Sequence, residues 1–266
     1  MQPHILLSAA WAFVFLACLY PARANSISYY ATTAAGVPLK IIRIDLNDPD
    51  VKITGLMTQF GAGHAEPFSQ MVRRGQPTVA ITGTFFSTRS LRPIGDIVID
   101  GRLTHFGGLG TALCITENNE VEFIKPARYI HQNWSRFDFV LCAGPRLVQK
   151  GVAYVNPKAD GFRDRNLLRP NSRLGVGVTQ DNHLIFAVTR KPVYLSRFAR
   201  VLKAIGVVDA INLDGGSSIG IYYKGKILFA PKRKLTNLIL VYANRWRYAQ
   251  VKERLLPARM RYAERR

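Results

Sequence analysis

The sequence predicts an α+β fold, a single mixed domain dominated by β-sheet with a few packed helices. Short runs of β-branched and aromatic residues bounded by turn residues recur along most of the chain, and only two segments carry a clear helical period. No Pro/Gly/Ser-rich linker divides the roughly 240 residues that follow an N-terminal apolar segment, which is enough for one domain with a substantial core.

The predicted strands run from Leu39 to Asp45, Val51 to Met57, Thr78 to Thr82, Asp96 to Ile99, Ala112 to Thr116 and Val121 to Ile124. They resume at Phe137 to Leu141, Leu174 to Thr179, Leu184 to Val188, Ala210 to Leu213, Ile219 to Tyr223, Lys226 to Phe229 and Asn237 to Tyr242. Tyr223-Lys224-Gly225-Lys226 reads as a tight hairpin turn. Pro67 to Arg74 forms the first helix, with Phe68, Met71 and Val72 on one side, Pro67 in the first turn and Gly75 at the end. The second runs from about Val193 to Ile205, where Leu195, Phe198, Val201, Leu202 and Ile205 make an apolar stripe that Gly206 closes.

The first residues set the expected compartment. Ile5 to Leu7 and Ala9 to Leu19 are nearly all apolar, shorter than the roughly 20 residues of a membrane span, and Ala22-Arg23-Ala24 offers small residues to a signal peptidase. Residues 1–24 are therefore expected to be a signal peptide, and the mature protein to be periplasmic or secreted. Residues 25–244 are expected to form the domain and residues 245–266 a basic C-terminal tail. In such a compartment Cys114 and Cys142 form a disulfide or stay as two buried thiols, and the spacing does not choose.

The chain holds 37 Lys and Arg against 17 Asp and Glu, and only Arg23 of these precedes residue 25, so the mature chain has 36 against 17, a net +19. Such a surface seeks anions: anionic glycans, sugar phosphates or phospholipid faces. No nucleic-acid-binding motif accompanies the charge. The tail is read as a solvated extension, or, through Val251, Leu255 and Leu256, as a short amphipathic helix making peripheral contact with an anionic membrane.

The chemistry is expected at Asn212-Leu213-Asp214-Gly215-Gly216-Ser217-Ser218. A carboxylate at a strand end is held by the sheet with its head at the rim, and two glycines let a ligand approach the backbone. Successive amides with the hydroxyls of Ser217 and Ser218 suit an anion. Three further segments set small and polar residues between strands: Thr82-Gly83-Thr84-Phe85-Phe86-Ser87, Ala143-Gly144-Pro145-Arg146-Leu147 and Asn171-Ser172-Arg173-Leu174-Gly175. The histidines are scattered without ligand spacing, so no metal site is assigned among them, and no cofactor is expected beyond, at most, a divalent ion held by Asp214 and backbone oxygens. Ser217 and Ser218 lack the Gly-x-Ser-x-Gly elbow of a serine hydrolase.

Taken in order, these segments resemble the phosphodiester glycosidase family. Asp209-Ala210-Ile211-Asn212-Leu213-Asp214-Gly215-Gly216 is similar to its signature, Arg173 to Thr179 to its Arg-bearing strand, and Gly144-Pro145-Arg146-Leu147-Val148 to its Gly-Pro-x-Leu-Val block. Pro93-Ile94-Gly95 with Asp100-Gly101 corresponds to its Pro-x-Gly stretch. Two departures stand out: Thr82 replaces the first residue of Asn-Gly-x-Phe-Phe, and two glycines rather than three follow Asp214.

The resemblance implies a glycosidase that releases a sugar from a phosphodiester through an oxocarbenium-like transition state. On that reading Asp214 is the catalytic carboxylate, as nucleophile or general base, and Arg173 is its catalytic partner, a planar fork for the leaving phosphate. Thr82, Gly83, Phe85, Ser87, Gly144, Arg146, Asn212, Gly215, Gly216, Ser217 and Ser218 are the substrate-binding candidates. Two other readings stay open: an envelope protein that binds anionic glycans without turnover, and a glycan hydrolase whose scissile bond lacks phosphate.

Overall fold

The computed structural model describes residues 25–262, so the expected signal peptide lies outside the described residues. Three antiparallel sheets carry the fold. The largest has seven strands in the spatial order Ile27–Ala34, Val37–Asp45, His183–Val193, Asn171–Thr179, Val207–Asn212, Arg146–Gln149 and Val152–Ala153. A second sheet orders Lys226–Phe229, Ile221–Tyr223, Val79–Thr82, Asn237–Tyr242 and Lys52–Met57. The third orders Arg102–His105, Ile97–Ile99, Phe139–Ala143, Thr111–Ile115 and Val121–Ile124.

One core joins all three. Ile42, Ile44, Val176 and Ile211 from the first sheet, Ile53, Ile81 and Leu240 from the second, and Ile97, Leu113 and Leu141 from the third lie in the same apolar cluster. A shared core makes these sheets one α+β domain. The period of two decides which face each residue serves: Ile97 and Ile99 point into the common core while Val98 points to a smaller outer cluster with Trp134 and Phe137. Cys114 and Cys142 fall on that outer face as free, fully buried thiols, and burial pushes both pKa values up, leaving them protonated and unreactive.

Both predicted helices form, over Phe68–Gly75 and Leu195–Ala204. The first ends at Gln76, in the left-handed region at φ 47°, rather than at Gly75. The second lays Phe198, Val201 and Leu202 on the outer face of the seven-stranded sheet, against Leu147, Ile185 and Ala210. The hairpin at Lys224-Gly225 also forms, both residues having positive φ. Four strands have no apolar signature in the sequence: Ile27–Ala34, Arg102–His105, Arg146–Gln149 and Val152–Ala153. Three of them contain or are the outermost strand of a sheet, so one side of each is solvated and polar residues are tolerated there.

The C-terminal segment is not a tail. Arg245–Leu255 forms a helix capped by Asn244, whose Oδ1 accepts from the Trp246 amide at 2.7 Å. Tyr248, Val251, Leu255 and Leu256 enter the common core, and the Tyr248 hydroxyl donates to Asp100 at 2.8 Å. The Lys52 ammonium stands 5.2 Å from the Tyr248 ring centre and pairs with Asp138 at 2.7 Å. The apolar positions that suggested a membrane-facing helix are thus consumed by the core, and residue 244 is no domain boundary. A second short helix, Ala258–Tyr262, follows. Leu255→Ala is expected to cost about 2–5 kcal/mol, because it opens a cavity in the main core. Urea unfolding of the purified protein measures this, and a solvated extension would show no change.

Candidate active site

Asp214 sits where two sheets meet. The strand Val207–Asn212 carries it to the rim of the seven-stranded sheet, and its amide donates to the Gly83 carbonyl at 3.1 Å, at the end of Val79–Thr82 in the second sheet. The preceding residues are fixed as firmly: Leu213 donates to the Leu174 carbonyl at 2.9 Å, and Asn212 to Pro145 at 2.9 Å. A one-turn 3-10 helix, Gly216–Ser218, follows. Glycine is required at both 215 and 216: a Cβ at 215 would lie 2.8 Å from the Ser172 carbonyl oxygen, and Gly216 has φ 55°.

The Asp214 side chain is only 6% exposed. Burial raises its pKa to about 6, and three contacts work against that rise: a hydrogen bond from Ser218, the charge and hydrogen bond of Arg233, and the Gly215 amide. Arg233 Nη2 lies 3.2 Å from Asp214 Oδ2, its Nε donates to Ser218 Oγ at 2.6 Å, and its guanidinium carbon stands 4.7 Å from the Phe86 ring centre. A third of the Arg233 side chain remains exposed. Arg233 is absent from the residues the sequence singles out, because it lies in the Pro231-Lys232-Arg233-Lys234 run, which reads as generic surface charge.

A cleft of about 560 Å³ opens over this pair. Eight of the expected residues line it: Phe85, Ser87, Arg173, Asn212, Asp214, Gly215, Gly216 and Ser217. Phe162, which packs edge-on against Phe85 at 6.0 Å, and Arg89, Arg163, Asn171 and Ser172 complete the wall. Its side chains comprise four arginines, 89, 163, 173 and 233, against two carboxylates, Asp164 and Asp214. Asp164 accepts from the Asn166 amide at 2.8 Å and caps the short helix Arg165–Leu168. Asn212 donates through Nδ2 to the Leu213 carbonyl, and its Oδ1 is buried without a hydrogen-bond partner among the described residues.

Arg173 reaches the cleft, with a different task from the one expected. Its Nε donates to the Val193 carbonyl at 3.0 Å, and its Nη2 to the carbonyls of Leu167 at 3.0 Å and Arg169 at 2.5 Å. No carboxylate pairs with it among the described residues, and burial lowers its pKa to about 10, so it remains charged at neutral pH. The guanidinium therefore acts first as a clamp on the 165–169 segment, and adds uncompensated positive charge to the wall.

Five expected contacts lie behind or away from the cleft. The Thr82 hydroxyl donates to the Ser218 carbonyl at 2.6 Å and accepts from Gly220 at 2.8 Å, so position 82 braces the Asp214 turn. Gly83 supplies the carbonyl already described, and Asn237 Oδ1 fills the space a Cβ would take there. Ser218 supports Asp214 and Arg233 from beneath. Gly144 donates to the Asn212 carbonyl at 2.9 Å and so positions the strand. Arg146 is paired with Asp209 and donates to backbone carbonyls of Val148 and Phe123, a structural ion pair between adjacent strands. Asp96, another carboxylate in the sequence, accepts from the Gly107 and Gly108 amides and from the Trp134 indole, which organises a loop.

No group of three or more His, Cys, Asp or Glu side chains assembles among the described residues. Asp214 faces a guanidinium, and a divalent ion on the same carboxylate would be repelled by it.

In structure the chain resembles a hypothetical protein from Synechocystis, at TM-score 0.70 and 17% identity over 81% of this chain, and it spans 61% of that chain. It also resembles the catalytic domain of zebrafish N-acetylglucosamine-1-phosphodiester alpha-N-acetylglucosaminidase, solved auto-inhibited by its pro-peptide. That match has TM-score 0.66 and 20% identity, and covers 83% of this chain and 85% of the zebrafish one. At these identities the two likenesses speak to the fold alone. No curated protein matches the sequence. A profile of the phosphodiester glycosidases matches residues 75–242, which include the Asp214 turn, Arg173 and Arg233. The chain belongs to the phosphodiester glycosidase family.

Proposed function

We propose that this protein is an exported hydrolase that cleaves a sugar-1-phosphate diester in an envelope or extracellular glycan. The observation that carries the reading is the buried Asp214 carboxylate beside Arg233, at the base of a cleft with four arginines and two carboxylates. Family membership supports the glycosidase class, and the apolar segment at residues 5–19 supports export.

Asp214 meets the anomeric carbon as positive charge develops there, as nucleophile or as base for a water. Burial strengthens that interaction, because less water competes for the charge. Arg233 is the phosphate ligand in place of Arg173. Its Nη2 holds Asp214 on one side, while its exposed third faces the anion that departs. A phosphate leaves more readily than an alkoxide, so electrostatic stabilisation replaces strong acid assistance. The Phe85–Phe162 pair supplies an apolar wall for the sugar ring. Thr82, the departure from the family's Asn, braces the turn and lies outside the cleft.

Asp214→Asn is expected to lower kcat on a sugar-1-phosphate diester by at least about 10³-fold, in the range of lost catalytic groups. Retention of wild-type rates by this variant would exclude Asp214 from the chemistry. The wild-type kcat/KM profile should carry an acidic limb with a midpoint near pH 6, where Asp214 ionises. Arg233→Ala should move that limb upward, since Arg233 lowers the Asp214 pKa, and reduce kcat/KM by about 10²-fold.

Stability should show the opposite sign. Between the ordinary value of 3.8 and about 6 the folded protein keeps a proton on Asp214 that the unfolded chain has released, so stability falls as pH rises through this window. Asp214→Asn should therefore be more stable than wild type at pH 7, by up to about 3 kcal/mol at roughly 1.4 kcal/mol per pH unit. The gap should close below about pH 4, and thermal melts across that range measure it.

A further inference from the structure

A second basic pocket adjoins the Asp214 cleft. It has a volume of about 880 Å³, shares Phe162 and Arg163 with the cleft, and is lined by Arg128, Lys158, Arg163, Arg165 and Arg169 with no carboxylate. None of these five cations is in an ion pair among the described residues. Five like charges around one concavity repel one another, and low-dielectric walls focus their field on whatever enters.

The pocket is also built. Arg173 clamps the carbonyls of Leu167 and Arg169, which fixes the segment bearing Arg165 and Arg169. Arg128 donates to the carbonyls of Lys158 at 2.9 Å and Ala159 at 3.3 Å. Asp160 accepts from the Arg146 amide at 2.9 Å and faces Lys125 at 3.3 Å, which anchors the turn bearing Lys158. Another groove, lined by Lys40, Arg190 and Lys191, is less charged, and two of its three cations are engaged: Arg190 stands over Phe229 and Lys191 donates to the Gly36 carbonyl.

Resting on the diester reading above, we propose that the substrate carries a second anionic group beyond the scissile diester, a phosphate or carboxylate, and that this pocket binds it. The favoured substrate is then a glycan with repeated negative charges, held at two points. Arg163, common to both cavities, bridges them, and the Arg173 clamp couples the position of the second site to the wall of the first.

The test uses the exposed cations, whose replacement leaves the core intact: a triple variant Lys158→Gln, Arg165→Gln, Arg169→Gln in the full mature chain. Inorganic pyrophosphate, titrated calorimetrically, is expected to bind the triple variant about tenfold more weakly than wild type, and to bind Asp214→Asn as wild type does. In kinetics, the triple variant should raise KM about tenfold for a sugar-1-phosphate diester whose aglycone bears a further phosphate. For the same diester without that phosphate, KM and kcat should stay at wild-type values. Equal pyrophosphate binding by the triple variant and wild type would overturn the pocket. A loss of pyrophosphate binding with no difference between the two diesters would show a site for free anions and overturn its assignment to substrate. If wild type turns over neither diester while the triple variant still loses pyrophosphate binding, the diester reading fails, and the assignment to substrate with it, but the anion site stands.

Discussion

Asp214 holds its charge inside the protein, and the guanidinium of Arg233, the hydroxyl of Ser218 and the amide of Gly215 offset only part of what burial costs. The neighbouring architecture serves this arrangement. Two sheets are joined at the Asp214 amide, Thr82 braces the turn from below, and Gly215 allows the Ser172 backbone to close against it. A carboxylate in this position is worth little to folding, which is the expected signature of a residue kept for what it does in a cleft.

Arginines divide into distinct tasks according to their partners. Arg146 meets Asp209 and stays structural; Arg173, with only carbonyls to bond, orders a loop and leaves its charge uncompensated; Arg233 meets the buried carboxylate of Asp214 and keeps part of itself exposed. The same side chain therefore yields a strand tie, a clamp and the partner of a buried acid. Fork geometry is common to all three, and the surroundings decide which use is made of it. Net positive charge, read from composition as a general taste for anions, becomes specific once the cations around the Asp214 cleft and the adjoining pocket are separated from those engaged elsewhere.

The C-terminal helix shows how a basic composition can mislead. Arg245 to Arg266 is rich in arginine, yet Tyr248, Val251, Leu255 and Leu256 recur at helical spacing and close the main core. The stripe is legible in the sequence, but the arginines around it suggest an anionic membrane rather than the protein's own core as the surface it covers. Asn244, a good N-cap directly before the helix, marks where it begins. The strands without apolar runs were hidden because solvated edges place no demand for hydrophobic residues on one side.

The α+β class, the main strands, the two amphipathic helices and the Asp214 turn are legible in the order of residues alone. These depend on periods of 2 and 3.6 residues and on glycine and aspartate in short-range order, which are local properties. That Thr82 braces the turn, that Arg173 clamps a loop and that Arg233 is the partner of Asp214 emerge from packing. Residues 214 and 233 are joined by a path through a strand hairpin, and no local pattern records which of many surface arginines that path returns to a buried acid. Pairing of that kind is a property of the packed chain, because it is the meeting of two sheets that fixes both the burial and the distance.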